Sequence, residues 1–438
     1  MNLEVVLDEV PGVSEVVSVN GITSISSLRE TGFRGARTLP ATVVLCVEDI
    51  CNFLQGIFVL DSVVENLVIL SSSLSETDFL RLVQQFDSPI VVTDKFEVKN
   101  AYTCEELLET HQADSARVAT RWILATSGTT AAPKLVSHSL QSLTKTVKNK
   151  KSLSDLRWGL LYDPARFAGL QVVLQAVGSG SCLVAPPGSE SLAKRVSFLK
   201  RNGVNALSAT PTLWKKILLS KLADDWPMVI LTLGGEIAEQ RVLDALVAKF
   251  PDAGIRHIYA STEAGTGFSV FDKTAGFPSS FIDNPPSGME LKVEDNRLFV
   301  KNNQVQKRYV GTDNEIADEY GFIDTGDVVE KDGDRYLFRG RANGVINVGG
   351  NKVYPETVEN ILKEHHSVAF VRVRGAKSSI VGELVCAEVV LESEQNQEAK
   401  LQELREFASE KLEPYQRPVK YIFVEDIPHN ENGKIVRS

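Results

Sequence analysis

Short apolar runs alternate along the chain with stretches whose apolar residues recur at helical spacing. Val43-Val44-Leu45-Cys46-Val47 is rich in β-branched residues and reads as a buried strand. Leu67-Val68-Ile69-Leu70 and Pro89-Ile90-Val91-Val92-Thr93 read the same way. The stretch 50–58 between the first two reads as a helix, and 74–86 carries Phe79, Leu80, Leu82, Val83 and Phe86 at helical spacing. Strands alternating with helices predict an α/β fold with a parallel sheet covered on both faces.

The pattern changes near Gly340. Just before it, Lys331-Asp332-Gly333-Asp334 separates two short apolar runs, a hairpin signal. Beyond it, Pro355 stands in the first turn of a predicted helix carrying Val358, Ile361 and Leu362. Leu401, Leu404, Phe407, Ala408 and Leu412 mark a second helix, and 368–373 and 385–391 read as strands. The expected division is a large N-terminal α/β domain over 1–340 and a small α+β domain over 341–438.

The 438 residues fit two to three domains at roughly 150 each. Hydrophobic residues make up 43%, too many for a disordered chain, and the net charge of −10 disfavours a nucleic-acid partner bound through a global positive field. The apolar stretch 53–70 is broken by Asp61, Glu65 and Asn66, so no membrane span is expected. Met1-Asn2-Leu3-Glu4 lacks the basic start of a signal peptide, and the five cysteines are scattered and odd in number. Both point to free thiols and a cytoplasmic location.

The candidate chemistry starts with Ala125-Thr126-Ser127-Gly128-Thr129-Thr130-Ala131-Ala132-Pro133-Lys134, after the strand-like Trp122-Ile123-Leu124. Glycine and small hydroxyl residues let N–H and O–H groups converge on phosphate, and Lys134 adds a positive charge. Taken alone, such a segment is more often only a loop. Two further strand-like runs end in polar groups: Leu231-Thr232-Leu233 in Gly234-Gly235-Glu236, and the run at Ile258-Tyr259 in Ser261-Thr262-Glu263. Open α/β sheets place ligands just past such strand ends. Asp324-Thr325-Gly326-Asp327 precedes the hairpin.

In this order the segments resemble the adenylate-forming superfamily of acyl- and aryl-CoA synthetases, peptide-synthetase adenylation domains and firefly luciferase. The resemblance runs from about Val43 to Arg437. The loop resembles Thr-Ser-Gly-Thr-Thr-Gly-x-Pro-Lys-Gly, and 259–263 resembles Tyr-Gly-x-Thr-Glu. Thr325-Gly326-Asp327, Gly340-Arg341, Val353-x-Pro355-x-x-Val358-Glu359 and Asn430-x-x-Gly433-Lys434-x-x-Arg437 match family signatures. The short N-terminal part is similar to compact members such as o-succinylbenzoate-CoA ligases.

The resemblance implies a small domain that is mobile, and it implies the site. Ser127, Gly128, Thr129 and Thr130 would hold the ATP phosphates, with Lys134 supporting the loop. Gly234, Gly235 and Glu236 would border the adenine, and Tyr259 would pack on its face. Thr262 would contact phosphate and Glu263 would ligate Mg2+, a hard cation that prefers oxygen. Asp327 would accept from the ribose hydroxyls, with Arg341 nearby. Lys434 would bridge the substrate carboxylate and the α-phosphate, Asn343 would stand at the hinge, and Gly349 and Gly350 would line the thiol tunnel. The catalytic set would be Lys434, Thr130 and Glu263.

The implied reaction joins a small carboxylic acid to AMP and then to the thiol of CoA, or to the pantetheine of a separate carrier protein. A non-catalytic nucleotide- or acyl-binding relative is the rival from another class, and Thr130, Glu263, Asp327 and Lys434 argue against it. Departures from the family pattern are Ala131, Leu135 and Ala260 for glycines, Asn343 for the hinge Asp, and Arg166 near the place of a common His. Of the histidines only His138 falls near the loop, and Lys145, Lys148, Lys150 and Lys151 read as a solvated helix face.

Overall fold

The structure, a computed structural model, describes residues 3, 14–30, 41–98, 101–106, 118–126, 132–302, 308–378, 382–392 and 397–427. The chain forms two compact units. One comprises Met1–Thr274, Ser287–Met289 and Lys301–Ile323; the other comprises Ala275–Pro286, Glu290–Val300 and Asp324–Ser438.

The first unit holds two sheets. The six-stranded one runs, edge to edge, Ala101–Tyr102, Ile90–Thr93, Thr42–Cys46, Asn66–Ile69, Arg121–Ala125 and Leu135–Ser139. Its first five strands pair in parallel and the last closes antiparallel. Thr42–Cys46 and Asn66–Ile69 are buried along their whole length, as strands covered on both faces must be. The crossover helix Ile50–Leu60 starts where Asp49 accepts from the N–H groups of Cys51 and Asn52. It buries Phe53, Leu54, Ile57 and Leu60, each contributing roughly 1.5–3 kcal/mol.

The eight-stranded sheet runs Gly265–Val270, Gly254–Ser261, Ile230–Gly234, Ala206–Ala209, Arg157–Leu160, Cys182–Val184, Glu15–Ser18 and Gly21–Ser24. Only its two edge strands are antiparallel to their neighbours. The parallel strands therefore send their C-terminal ends to one rim.

The second unit opens with a five-stranded sheet in the order Phe277–Pro278, Arg335–Arg341, Ile323–Asp332, Arg297–Lys301 and Glu290–Glu294. The expected hairpin is present, with Asp332 opposite Arg335. Downstream, Asn351–Val353, Ile346–Val348, Gly382–Leu391 and Val368–Ser378 form a second sheet, and Lys420–Phe423 joins it on Gly382–Leu391. Helices Pro355–Leu362 and Gln397–Lys411 complete a separate core around Ile346, Val358, Leu362, Val371 and Leu404.

The lysine run is not a helix face. The helix Leu140–Thr144 stops short, and only Lys151 returns to a helical turn, Lys151–Leu153. The reason is Gln175, whose side-chain amide accepts from the Lys148 N–H at 3.2 Å and donates to its carbonyl at 3.3 Å. That pairing satisfies the backbone groups a helix would have used.

The cysteines are free, four of them buried and Cys51 half-buried. Burial pushes the Cys46 and Cys104 thiols up to about 12 and raises those of Cys51 and Cys182. Among the described residues no helix is long and apolar enough to cross a membrane.

Candidate active site

The Arg121–Ala125 and Leu135–Ser139 strands form an antiparallel hairpin. Its loop is pinned at the base: the Thr126 N–H donates to the Lys134 carbonyl at 2.8 Å, and the Lys134 N–H to the Thr126 hydroxyl at 3.2 Å. Ser127, Gly128, Thr129 and Thr130, the expected phosphate ligands, fall inside this loop and lie outside the described residues. Arg81 braces the loop's end by donating to the Pro133 carbonyl at 3.0 Å. The exposed Lys134 side chain places its ammonium 4.6 Å from the centroid of the Tyr309 ring.

Gly234 pairs with Ile258 on the neighbouring parallel strand, so Gly235-Glu236 and Tyr259–Glu263 leave the sheet side by side. Gly235 turns the chain with φ +81°, a conformation that favours glycine. Glu236 then accepts from the Thr212 N–H at 3.0 Å, in the first turn of the helix Pro211–Leu219. The buried Tyr162 hydroxyl donates to the Gly234 carbonyl at 3.3 Å, and burial followed by the Glu236 charge raises its pKa.

Tyr259 stacks on Phe268 with centroids 5.1 Å apart. A β-bulge at Tyr259/Ala260 redirects the strand, and the turn beyond is held by Ala264 N–H donating to Ser261 Oγ at 3.0 Å. Asn302 clamps the same turn from its Nδ2 to the Ala264 carbonyl at 2.9 Å. Glu263 projects from this turn beside the Tyr309 phenol. Burial first, then the Glu263 charge, pushes that phenol up to about 12. A carboxylate is the ligand type a hard divalent cation takes, although among the described residues no group of three or more metal-ligating side chains forms around Glu263.

His138 lies on the Leu135–Ser139 strand, opposite Trp122 and 5.6 Å from the Phe167 ring. It is 2% exposed, and neither ring nitrogen has a hydrogen-bond partner of full geometry. Desolvation lowers its pKa to about 4, against a weaker opposing pull from the Thr262 backbone. Thr262 thus stands beside His138, and Tyr309 neighbours Glu263 through its phenol and Lys134 through its ring. Arg166 forms a 3.7 Å ion pair with Asp163 just before the helix Phe167–Gly178.

The second unit carries Asp327 and Arg341, which face each other across adjacent strands with Nη1 to Oδ1 at 2.8 Å. Asp327 is further oriented through its N–H, which donates to Thr325 Oγ1 at 3.1 Å. Asn343 sits on a 3-10 turn, Ala342–Gly344, within this unit. Gly349 (φ +58°) and Gly350 (φ +92°) form the hairpin tip between Ile346–Val348 and Asn351–Val353, braced by the Gly350 N–H on Asn347 Oδ1 at 3.0 Å. Lys434 lies outside the described residues.

Within the first unit the fold thus gathers Lys134, Gly234, Gly235, Glu236, Tyr259, Thr262 and Glu263 from segments separated by up to about 130 positions. Sequence reading missed Tyr309 and Tyr162. Tyr309 is remote from its partners along the chain and carries no local pattern. An open groove of about 470 Å³ at the Ala101–Tyr102 edge, between Thr93, Phe96 and Glu106, holds none of these residues.

Residues 58–306 match the family model for AMP-binding enzymes, and 357–434 match that for the AMP-binding enzyme C-terminal domain. The 2-succinylbenzoate–CoA ligase of Bacillus subtilis is 24% identical over 407 residues, covering 85% of this chain and 81% of that protein. The fatty acid–[acyl-carrier-protein] ligase ScoC of Streptomyces coeruleorubidus is 27% identical over 345 residues, covering 72% and 65%. In fold, the chain is similar to the o-succinylbenzoate CoA synthetase (MenE) of Bacillus subtilis in complex with ATP and magnesium ion. The TM-score is 0.77 at 20% identity, covering 100% of this chain and 98% of that one.

Proposed function

We propose, from the premise that the chain belongs to the AMP-binding enzyme family, that it is an AMP-forming acid–CoA ligase. It activates a small carboxylic acid with ATP and passes the acyl group to the thiol of CoA. The observation that carries this reading is the convergence of the loop base at Lys134 and the carboxylate at Glu263 on one side chain, Tyr309.

Two anions must meet: the acid's carboxylate attacks the α-phosphorus of ATP, and pyrophosphate leaves. Charge neutralisation is therefore the central task. Ser127, Gly128, Thr129 and Thr130 bind the phosphates from the loop, and Lys134 adds its charge at the loop base. Gly234, Gly235, Glu236 and Tyr259 border the base, and Thr262 contacts phosphate. Glu263 holds Mg2+, which when bound neutralises phosphate charge. Asp327 accepts from the ribose, positioned by Arg341. Lys434 draws the carboxylate and α-phosphate together.

The acceptor has a second reading, favoured by the likeness to ScoC: the pantetheine thiol of a separate carrier protein. Thioester formation with free CoA, against formation only with carrier protein, separates the two.

The test is ATP–pyrophosphate exchange across a panel of acids. Exchange that depends on an acid and on Mg2+ supports the reading; none with any acid overturns it. Lys434→Ala is expected to lower exchange about 10²–10³-fold, the usual loss for one preorganised donor at developing charge. Thiol transfer from supplied acyl-AMP is expected to change far less, and wild-type exchange in the variant removes Lys434 from the site.

A further inference from the structure

Tyr162 follows the strand Arg157–Leu160 and is 3% exposed. Its hydroxyl reaches past the end of the neighbouring parallel strand, Ala206–Ala209, and donates to the Gly234 carbonyl on the strand beyond, at 3.3 Å. The chain after Ala209 turns into a helix at Pro211, which has no N–H to continue the ladder. The donor comes instead from Tyr162. That residue is itself held on both sides. The Leu161 carbonyl accepts from Arg195 Nη2 at 2.7 Å, and Asp163 Oδ1 accepts from the Ala165 N–H at 2.9 Å. The following helix packs so closely that a Cβ at Gly169 would overlap the Asp163 carbonyl oxygen.

What the hydroxyl fixes is the peptide that enters the turn Gly234-Gly235-Glu236. Gly235 has φ +81°, and glycine's wide conformational freedom would let an unrestrained peptide there reorient. Tyr162 holds the turn at its start, and the Glu236 carboxylate, on the Thr212 N–H at 3.0 Å, holds it at its end. Resting on the functional reading above, in which these three residues border the base of ATP, we propose that Tyr162 is a positioning residue for that base. It acts through the Gly234 carbonyl and keeps one wall of the base site in a single arrangement before the nucleotide arrives. A preformed wall spares binding the entropy of ordering it.

The test is calorimetric binding of a non-hydrolysable ATP analogue, α,β-methylene-ATP, to the full chain with Mg2+, beside the melting temperature. Wild type, Tyr162→Phe and Thr232→Val are compared. Tyr162→Phe keeps the ring and removes only the hydroxyl. It is expected to weaken analogue binding about tenfold, the usual effect of leaving a buried partner without its hydrogen bond. Thr232→Val is the matched control. Thr232, also 3% exposed, lies on the same strand two residues before the turn, and its Oγ1 accepts from Arg256 Nε at 3.3 Å. Losing that bond is expected to leave analogue affinity within about twofold of wild type, as for a site independent of the ligand.

A purely structural role predicts a lowered melting temperature with wild-type affinity in both variants, and that pattern overturns the proposal. Equal losses of affinity in Tyr162→Phe and Thr232→Val overturn it too, because loosening the strand anywhere would then suffice. A Tyr162→Phe chain that does not fold assigns the hydroxyl to the fold and has the same force. If the wild type itself binds no analogue, the functional reading falls and this proposal with it. Wild-type binding with an unaltered Tyr162→Phe removes the proposal alone.

Discussion

His138 shows how one residue couples the site to pH. Burial holds its folded-state pKa near 4, below the usual 6.5 of the unfolded chain. Below pH 6.5 the unfolded chain therefore binds a proton the folded one refuses, and stability falls as pH drops from 6.5 towards 4. Between pH 7 and 5 the expected loss from this residue is roughly 2 kcal/mol. Urea titrations at both pH values check it: His138→Leu should lose that much less stability than wild type over the interval. Equal losses would mean the ring is solvated at pH 5. Sequence reading placed His138 near the loop from its spacing to Lys134, but its burial was not legible. That burial arises because Trp122 faces it across the strand pair and Phe167 covers it from a helix some thirty residues away.

Among elements, strands were legible wherever both faces are buried, because Val43–Cys46 and Leu67–Ile69 are continuous apolar runs. The helix face expected at Lys145, Lys148, Lys150 and Lys151 was misread, since a side chain from Gln175 takes up the backbone groups of Lys148. Gly349 and Gly350 were singled out by the resemblance alone, and the hairpin they tip is a finding of the structure, which their positive φ values explain. Gly350→Ala forces an L-residue to φ +92° and should cost about 1–2 kcal/mol of stability. No heavy atom lies within 4 Å of an added Cβ there, so the expected lesion is in backbone placement rather than packing. On the proposal that this tip lines the thiol's approach, acyl-AMP formation should stay near wild type while thioester formation slows. Pyrophosphate exchange beside thioester yield measures both; equal slowing would place the hairpin elsewhere in function.

For the whole molecule, the sequence reading set a junction at 340/341. Asn343 lies inside the compact unit made of Ala275–Pro286, Glu290–Val300 and Asp324–Ser438. A hinge is defined by motion, and we propose that it lies at Asn343. Proline is tolerated in the first turn of a helix and fixes φ near −65°, so Asn343→Pro should fold. It is expected to hold one arrangement and to impair either adenylation or thiol transfer much more than the other. Single-turnover measurement of each half-reaction decides; equal loss of both removes the hinge from this position. The cysteines carry a different consequence. An enzyme that makes acyl-AMP and thioesters handles acylating agents at every turnover, and its own thiols are competing acceptors. Thiolate is the reactive form, and burial keeps Cys46 and Cys104 protonated well beyond neutral pH. Cys182 and Cys386 are sheltered within the fold, and the half-buried Cys51 thiol is also raised. Packing thus protects the catalyst from acylating itself.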